Sequence, residues 1–373
     1  MRIFVFGSSI TSSYWNGAAT YYRGMYKNLA ALGHEVTFAE PDILRRQQNR
    51  DLSEVEYARV IVYQTPRDIG DLISLASTAD LVIKHSGVGS DDEVLERRVL
   101  ECRKRAQVAF WDVDAPATLA RVDADRFDPF LRVVPQYDFV FTYGGGPQVV
   151  ERYLKLGARN CHPIYNALDP ETHFPIAPDA KLRCDLVFVG NRLPDRERRV
   201  EQFFFAAAEL APEMSFLLGG EGWGDKKMPA NVHWLGHVGT GAHNRINSSA
   251  HMVLNINRES MADVGFSPPT RIFEAAGAAA CVICDAWQGI ESFFTPGREI
   301  LTASRAADVV GHLRKLKNAE VRAIGSAMRR RALAEHSYAL RAIEVEKILQ
   351  AARGDRHPSA VNREMLESAG RSA

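Results

Sequence analysis

The 373-residue sequence has no surplus of charge, with 46 Lys and Arg against 46 Asp and Glu. No global field gathers a polyanion, so a nucleic-acid partner requires a local patch. Long apolar runs are missing too: none reaches the ~20 residues that cross a bilayer. The opening MRIFVFGSSI turns polar too soon for a secretory leader, so a cytoplasmic chain without a membrane span is expected. Cysteine is scarce. Cys102, Cys161, Cys184, Cys281 and Cys284 are an odd, scattered set, which argues against a disulfide-stapled domain. Cys281 and Cys284 spell CxxC, but they lie in the apolar run CVIC, which reads as a strand. Residues i and i+3 of a strand face opposite sides, so buried core thiols are expected there rather than metal or redox ligands. GxGxxG is absent from the first strand-to-helix loop, which removes the dinucleotide fingerprint and with it a nicotinamide redox enzyme.

What is present is an ordinary globular composition, 46% hydrophobic and 25% charged, long enough for roughly two domains. RIFVFGSS reads as a strand, residues 18–32 have helical apolar spacing that ends at Gly33, and EVTFAE reads as a second strand. Strand, loop, helix, Gly stop and strand make a βαβ unit, hence a parallel sheet covered by helices. The alternation continues to residue 143 and restarts at Asp185 with DLVFVGN, through MSFLLGG, VHWLGHV, HMVLNINR and ACVICD to a helix expected from Gly289. Between the two series, CHPIYNALDPETHFPIAPDAK has four prolines and no apolar period, which is a linker composition. The expected architecture is α/β: two doubly wound Rossmann-like domains facing each other across a cleft. Residues 1–165 form the first, 166–182 the hinge, 183–335 the second, and 336–373 a C-terminal helix with a loosely held tail. In such sheets ligands sit beyond the carboxyl ends of the strands, so function belongs to the facing loops.

Several of those loops carry chemistry. In GSSITSSYWNGAATYYRG, small residues around Asn16, Gly17 and Thr20 precede a helix whose backbone N–H groups can approach an anion. VGNRLPDRERR places Arg192, Arg196, Arg198 and Arg199 within eight residues after a strand; most of such a run solvates a surface, but one arginine is placed to clamp a diphosphate, and Arg196 is the choice. In the segment from Asn255 to Phe294, Thr270 opens a helix bearing Arg271 and Glu274. Its first amides can hold phosphate, and a carboxylate one turn in can accept from vicinal ribose hydroxyls, although Glu274 also fits a capping box. His85 and His237 are expected to face the cleft; His34, His251, His312 and His336 are expected to complete helix ends or surfaces.

SSYWNGAATYYRG, GHEVTFAEPD, AFWDVDAPATL, YGGGP, VGNRLPDRERR, LNINRESM and, most specifically, GFSPPTRIFEAAG with WQGIESFFTPGREI resemble the CgeB-like, spore-maturation-type branch of the GT-B glycosyltransferases. The resemblance runs to about Arg331. It implies a hexosyl-type transferase that moves a sugar from a nucleotide-activated donor, such as a UDP-sugar, with retention at the anomeric carbon. It also implies that Arg196 contacts the diphosphate and Glu274 the ribose, with His237 and Val238 where related enzymes present backbone groups to the base. Three positions depart from the pattern: Phe266 stands where a glutamate is common eight residues before Glu274, Ala18 where a histidine is, and the usual lysine has only Arg198 nearby.

Asp112-Val113-Asp114 spells the DxD that binds a metal in another transferase class. Here it ends a strand of the first domain, away from the arginine clamp, so no metal and no cofactor is expected. The expected catalytic set is Arg196, Asp114 and Asp112. The expected donor set is Asn16, Gly17, Arg196, His237, Val238, Arg258, Thr270, Arg271 and Glu274. The acceptor is open among glycan, protein, small molecule and, as a narrower variant, DNA. A nucleotide-sugar epimerase and a catalytically inactive nucleotide- or sugar-binding assembly protein are the rival readings.

Overall fold

A computed structural model describes residues 1–64 and 67–356. Two all-parallel sheets organise the chain. The first has seven strands in the order β3-β2-β1-β4-β5-β6-β7, with β1 Arg2–Phe6, β2 Glu35–Pro41, β3 Arg59–Tyr63, β4 Leu81–His85, β5 Gln107–Asp112, β6 Phe139–Thr142 and β7 His162–Pro163. The second has six, β10-β9-β8-β11-β12-β13, with β8 Leu186–Val189, β9 Phe216–Gly219, β10 Val232–Trp234, β11 Met252–Asn255, β12 Val282–Asp285 and β13 Leu301–Ala303. The central strands are near-continuous hydrophobic runs because helices cover both faces of each sheet. Strand order reverses between β1 and β4 in one sheet and between β8 and β11 in the other. A crevice opens beyond the carboxyl ends of the strands at each reversal.

Local differences from the sequence reading have plain causes. VHWLGHV is a strand only to Trp234, because Gly236 takes φ +74° and turns the chain. The helix expected from Gly289 is a single 3-10 turn, Ile290–Ser292. Cys281 and Cys284 lie in opposite-face cores of the second sheet, and all five cysteines are buried thiols.

The chain crosses between the sheets twice. Leu168, in the proline-rich stretch, and Ser337 form a parallel bridge, with Leu168 N donating to His336 O at 2.7 Å and Tyr338 N to Leu168 O at 3.0 Å. The helix Tyr338–Arg356 then returns to the first domain, where Tyr338, Ala342, Val345 and Leu349 join the core under the helix Ala19–Ala31. Gly24 makes this docking possible, since a Cβ there would overlap the Tyr338 ring. The expected C-terminal helix is thus part of the first domain's core; the loosely held tail, 357–373, lies outside the described residues. No described helix is long and apolar enough to cross a membrane.

Candidate functional site

The loops at the two strand-order reversals meet around a cavity of about 280 Å³. The first domain contributes Ser8, Asn16, Gly17, Arg46, Gly87 and Asp114; the second contributes Leu193, Arg196, Asn257, Arg258, Thr270 and Arg271. Seven of the ten residues expected to bind donor or act in catalysis other than Asp112 are therefore brought together from both halves of the chain: Asn16, Gly17, Asp114, Arg196, Arg258, Thr270 and Arg271.

Arg196 sits in the first turn of the helix Pro194–Val200 and is buried. The other three arginines of its run are taken by carboxylates: Arg192 by Glu197 and Asp225, Arg198 by Glu259, Arg199 by Asp285. Among the described residues Arg196 has no such partner, and its Nε and Nη1 have no hydrogen-bond acceptor. Burial, followed by the like charges of Arg271 and Arg258, drives its pKa well below the usual guanidinium range. Arg271 is half-buried, with a buried Nε that has no acceptor and one bond from Nη2 to Ile256 O at 3.3 Å. Buried guanidinium nitrogens without acceptors are costly, and their presence around one cavity marks a place for an anion.

Arg258 differs. Its Nη1 meets Asp114 across the cleft at 2.5 Å and its Nε meets Asp195 at 2.7 Å, so this cation is neutralised and ties the two domains together. Asp114 keeps Oδ1 free of partners at the cavity wall. Asp112 lies behind that wall. It accepts from the Ser86 hydroxyl at 2.6 Å, from Asp114 N at 2.9 Å, from Thr118 and from Tyr153, which uses up its acceptors. Its position is that of an orienter of the loop before Pro116, so the catalytic role expected for Asp112 is not carried forward. The first-domain loop is held in a comparable way. Asn16 spends Nδ2 on Ser9 O and Ser12 O and receives the Ser8 hydroxyl on Oδ1, so it shapes the loop more than it offers donors. Gly17 faces open space, where a Cβ would meet nothing within 4 Å. Trp15, beside it, lines the cavity 42% exposed and at φ +48°, a strained conformation for an aromatic residue.

Glu274 lies outside this cavity but shares Arg271 with it, one turn along the helix Thr270–Gly277. Its carboxylate is 3.1 Å from His243 Nδ1. Burial alone raises its pKa, but His243, His173 and Arg271 overcome that and hold it down at about 2. His243, which burial alone would lower, is raised by Glu274. Among the described residues, Glu274, His243 and His173 are a group with ligand atoms within 4.8 Å of one another, a donor set that fits zinc. A metal needs neutral imidazole, and the pairing with Glu274 favours the imidazolium instead. The sign of the linkage follows from the two shifts. The contribution of Glu274 is present above its unfolded value near 4.5 and is lost as pH falls toward about 2. That of His243 is present below about 6.5 and is lost as pH rises through its raised folded value. Thermal unfolding of wild type against His243→Gln should therefore differ most between about pH 4.5 and 6.5; a difference that grows steadily into alkaline pH would contradict the pair.

Three expectations are not met by position. His237 is exposed, edge-on to Tyr14 at 6.0 Å between centroids, and Val238 packs in the apolar cluster near Val189; neither lines the cavity. His85 does not face the cleft. It is enclosed by Tyr22, Tyr26 and Trp111, and burial pushes its pKa down to about 3. Phe266 adopts φ +44° in the seam between domains, its ring against Gly146 and Gly289 and its carbonyl accepting from Gly145 N at 2.9 Å. Of the residues the sequence did not single out, Arg46 is the most consequential. Its only signal was a basic cluster, RRQQNR, just after a strand.

A larger cavity, about 550 Å³, lies beside the first, between the helix Ala19–Ala31 and the 51–57 and 240–244 loops. Its cations are already matched: Arg23 with Asp51 at 2.8 Å, and Lys27 with Asp169 and Glu171. Unmatched positive charge is concentrated in the smaller cavity.

Residues 196–347 match a family described as glycosyl transferase-like. No curated protein matches the chain by sequence. Among solved structures, sucrose-phosphate synthase from Thermosynechococcus elongatus is similar at TM-score 0.68 and 13% identity, over 95% of this chain and all of that one. HepE from Anabaena, solved with UDP-glucose, gives TM-score 0.65 and 11% identity over 94% of this chain and all of that one. A glycosyltransferase from Rickettsia africae gives 0.63 and 11%, over 93% and 97%. At these identities the likeness is one of fold, and the two parallel-sheet domains have the GT-B architecture.

Proposed function

We propose that this chain, a GT-B glycosyltransferase by its architecture and by the family match of its second half, transfers a sugar from a nucleoside-diphosphate donor held on the second domain. The observation that carries this reading is the pair Arg196 and Arg271 on the cavity wall, each with buried guanidinium nitrogens that have no acceptor, beside the start of the helix Thr270–Gly277. One buried and one half-buried guanidinium with a set of helix-start amides suit a diphosphate, whose charge grows as the glycosidic bond breaks. Glu274 then receives the ribose hydroxyls, held in place by His243, and Asp114 borders the reacting centre from the acceptor side. Positive charge supplied by arginine makes a divalent ion unnecessary. HepE, at the same fold, was solved with UDP-glucose, which supports a UDP-sugar as donor. Retention and the CgeB-like branch rest on the resemblance of the sequence motifs.

A panel of nucleotide sugars in a thermal-shift assay tests the reading, since a ligand at 100 times its Kd adds about 2.7 kcal/mol to the folded state. One nucleotide class should raise Tm by several degrees, equally with and without chelator, and transfer should survive chelation. Absence of any shift overturns the donor site; loss of transfer in chelator with rescue by Mg²⁺ or Mn²⁺ overturns metal independence. Phe266 favours one rival specifically, because an apolar side chain in an interdomain seam replaces the family's carboxylate. Tight nucleotide binding with neither transfer nor donor hydrolysis selects that rival, a binding protein without catalysis.

A further inference from the structure

We propose that the first-domain wall of the cavity is a second anion subsite built on Arg46, so that the transferred sugar or the acceptor carries a carboxylate or phosphate. The inference rests on the donor-site reading above and adds the chemical class of what lies opposite the diphosphate.

Arg46 is 5% exposed and lines the cavity with Asn16, Gly17, Gly87 and Asp114. Its Nη1 donates to Ser8 O at 3.1 Å and to Val88 O at 3.3 Å. Those carbonyls follow β1 and β4, so the guanidinium spans the strand-order reversal of the first sheet, where an open α/β sheet places its ligand. Among the described residues no carboxylate forms an ion pair with it, and its Nε has no acceptor although buried. Glu40 attracts it electrostatically without forming an ion pair, its oxygens accepting from Ile10 N at 2.6 Å, Thr11 N, the Thr11 hydroxyl and Gln47 at 2.6 Å. The other buried cation of this sheet shows the usual arrangement: Lys84, fully buried, is matched by Asp92 and Glu96. Arg46 therefore stands apart within its own domain. The charge balance across the cavity points the same way. A diphosphate bridge brings a pair of negative charges, met on the second domain by Arg196 and Arg271, and Arg258 is already neutralised by Asp114 and Asp195. Arg46, on the opposite wall, is a further cation with no ion-pair partner among the described residues. A planar fork with free donors suits a carboxylate or phosphate better than a neutral hydroxyl group.

The test uses the full chain saturated with the nucleoside diphosphate that the panel selects. In one arm, hexose 6-phosphates, hexuronates and the matching neutral hexoses are added and Tm is read. In the other, nucleotide-hexuronates are compared with neutral nucleotide-hexoses. A charged sugar should bind at least tenfold more tightly than its neutral counterpart in one arm, and that arm identifies whether acceptor or transferred sugar carries the anion. Arg46→Met should remove the preference, weakening the charged ligand about 10- to 100-fold, the factor a charged hydrogen bond carries. Arg46→Lys, which keeps the charge but not the fork, should retain part of it and serves if the methionine variant fails to fold. Equal binding of charged and neutral sugars by wild type, or a preference that survives in both variants, overturns the subsite. A wild-type chain that binds no nucleotide fails at the donor site instead, so the two failures are distinguishable.

Discussion

Replacing Arg196 by methionine is expected to lower kcat about 100- to 1,000-fold while raising the Tm of the ligand-free protein. The two halves of that result have one cause. Arg196 is a buried guanidinium with two orphaned nitrogens, among like charges from Arg271 and Arg258. Without ligand it is a net cost to folding, since a buried charge without a partner is strongly unfavourable. With donor bound, it meets a leaving group whose negative charge increases toward the transition state, so its interaction strengthens where catalysis needs it. Methionine fills much of the volume without the charge. A gain of about 1 kcal/mol corresponds to roughly 2–4 °C for domains of this size. Stopped or steady-state transfer kinetics and an unliganded melting curve check both halves. A kcat within tenfold of wild type, or a clear drop in Tm, would place the diphosphate elsewhere.

Glu274→Gln is the second large effect: donor affinity should fall roughly 10- to 150-fold, because a hydrogen bond to a charged group contributes about 1.5–3 kcal/mol. Glutamine keeps the shape and one acceptor but donates where the ribose hydroxyls also donate. His243 loses its counter-ion at the same time, 3.1 Å away, so ligand-free Tm should fall near pH 6. His243→Gln separates the two consequences. It leaves the carboxylate in place, so it should cost stability in the same pH range while weakening donor by a smaller factor than Glu274→Gln. Calorimetric Kd values for both variants decide the matter; unchanged donor affinity in Glu274→Gln removes Glu274 from the donor site.

Both predictions start from residues that were visible in the linear sequence, where Arg196 was chosen from four arginines within eight residues and the family resemblance pointed to the same one. Folding supplies the physical reason that spacing lacked, by bringing Glu197, Asp225, Glu259 and Asp285 to the other three. Two of those carboxylates, Glu259 and Asp285, come from more than 60 residues away in the chain. The DxD pair divides in the same way. Two residues apart on a continuing strand they would share a face, but β5 ends at Asp112 and Asp114 is the N-cap residue of the helix Ala115–Ala124, so one is held inward by Ser86, Thr118 and Tyr153 while the other reaches the cleft.

What the sequence by itself determined is what periodicity and local chemistry encode. The two βα series, the parallel sheets, the buried cysteines of CVIC and the placing of chemistry at the carboxyl ends of strands all follow from side-chain alternation and turn residues close together in the chain. Tertiary structure alone decided which charges remain unpaired. It also decided the return of the helix Tyr338–Arg356 to the first domain, which depends on the fit of Tyr338 over Gly24. The prominence of Arg46 belongs with these, since RRQQNR is only a short polar and basic run until β1 and β4 bring Ser8 O and Val88 O beneath it. The physical reason is common to all three. Desolvation and pairing depend on what packs against a group, and here the packing partners are separated from it by tens to hundreds of residues, beyond the reach of any local pattern.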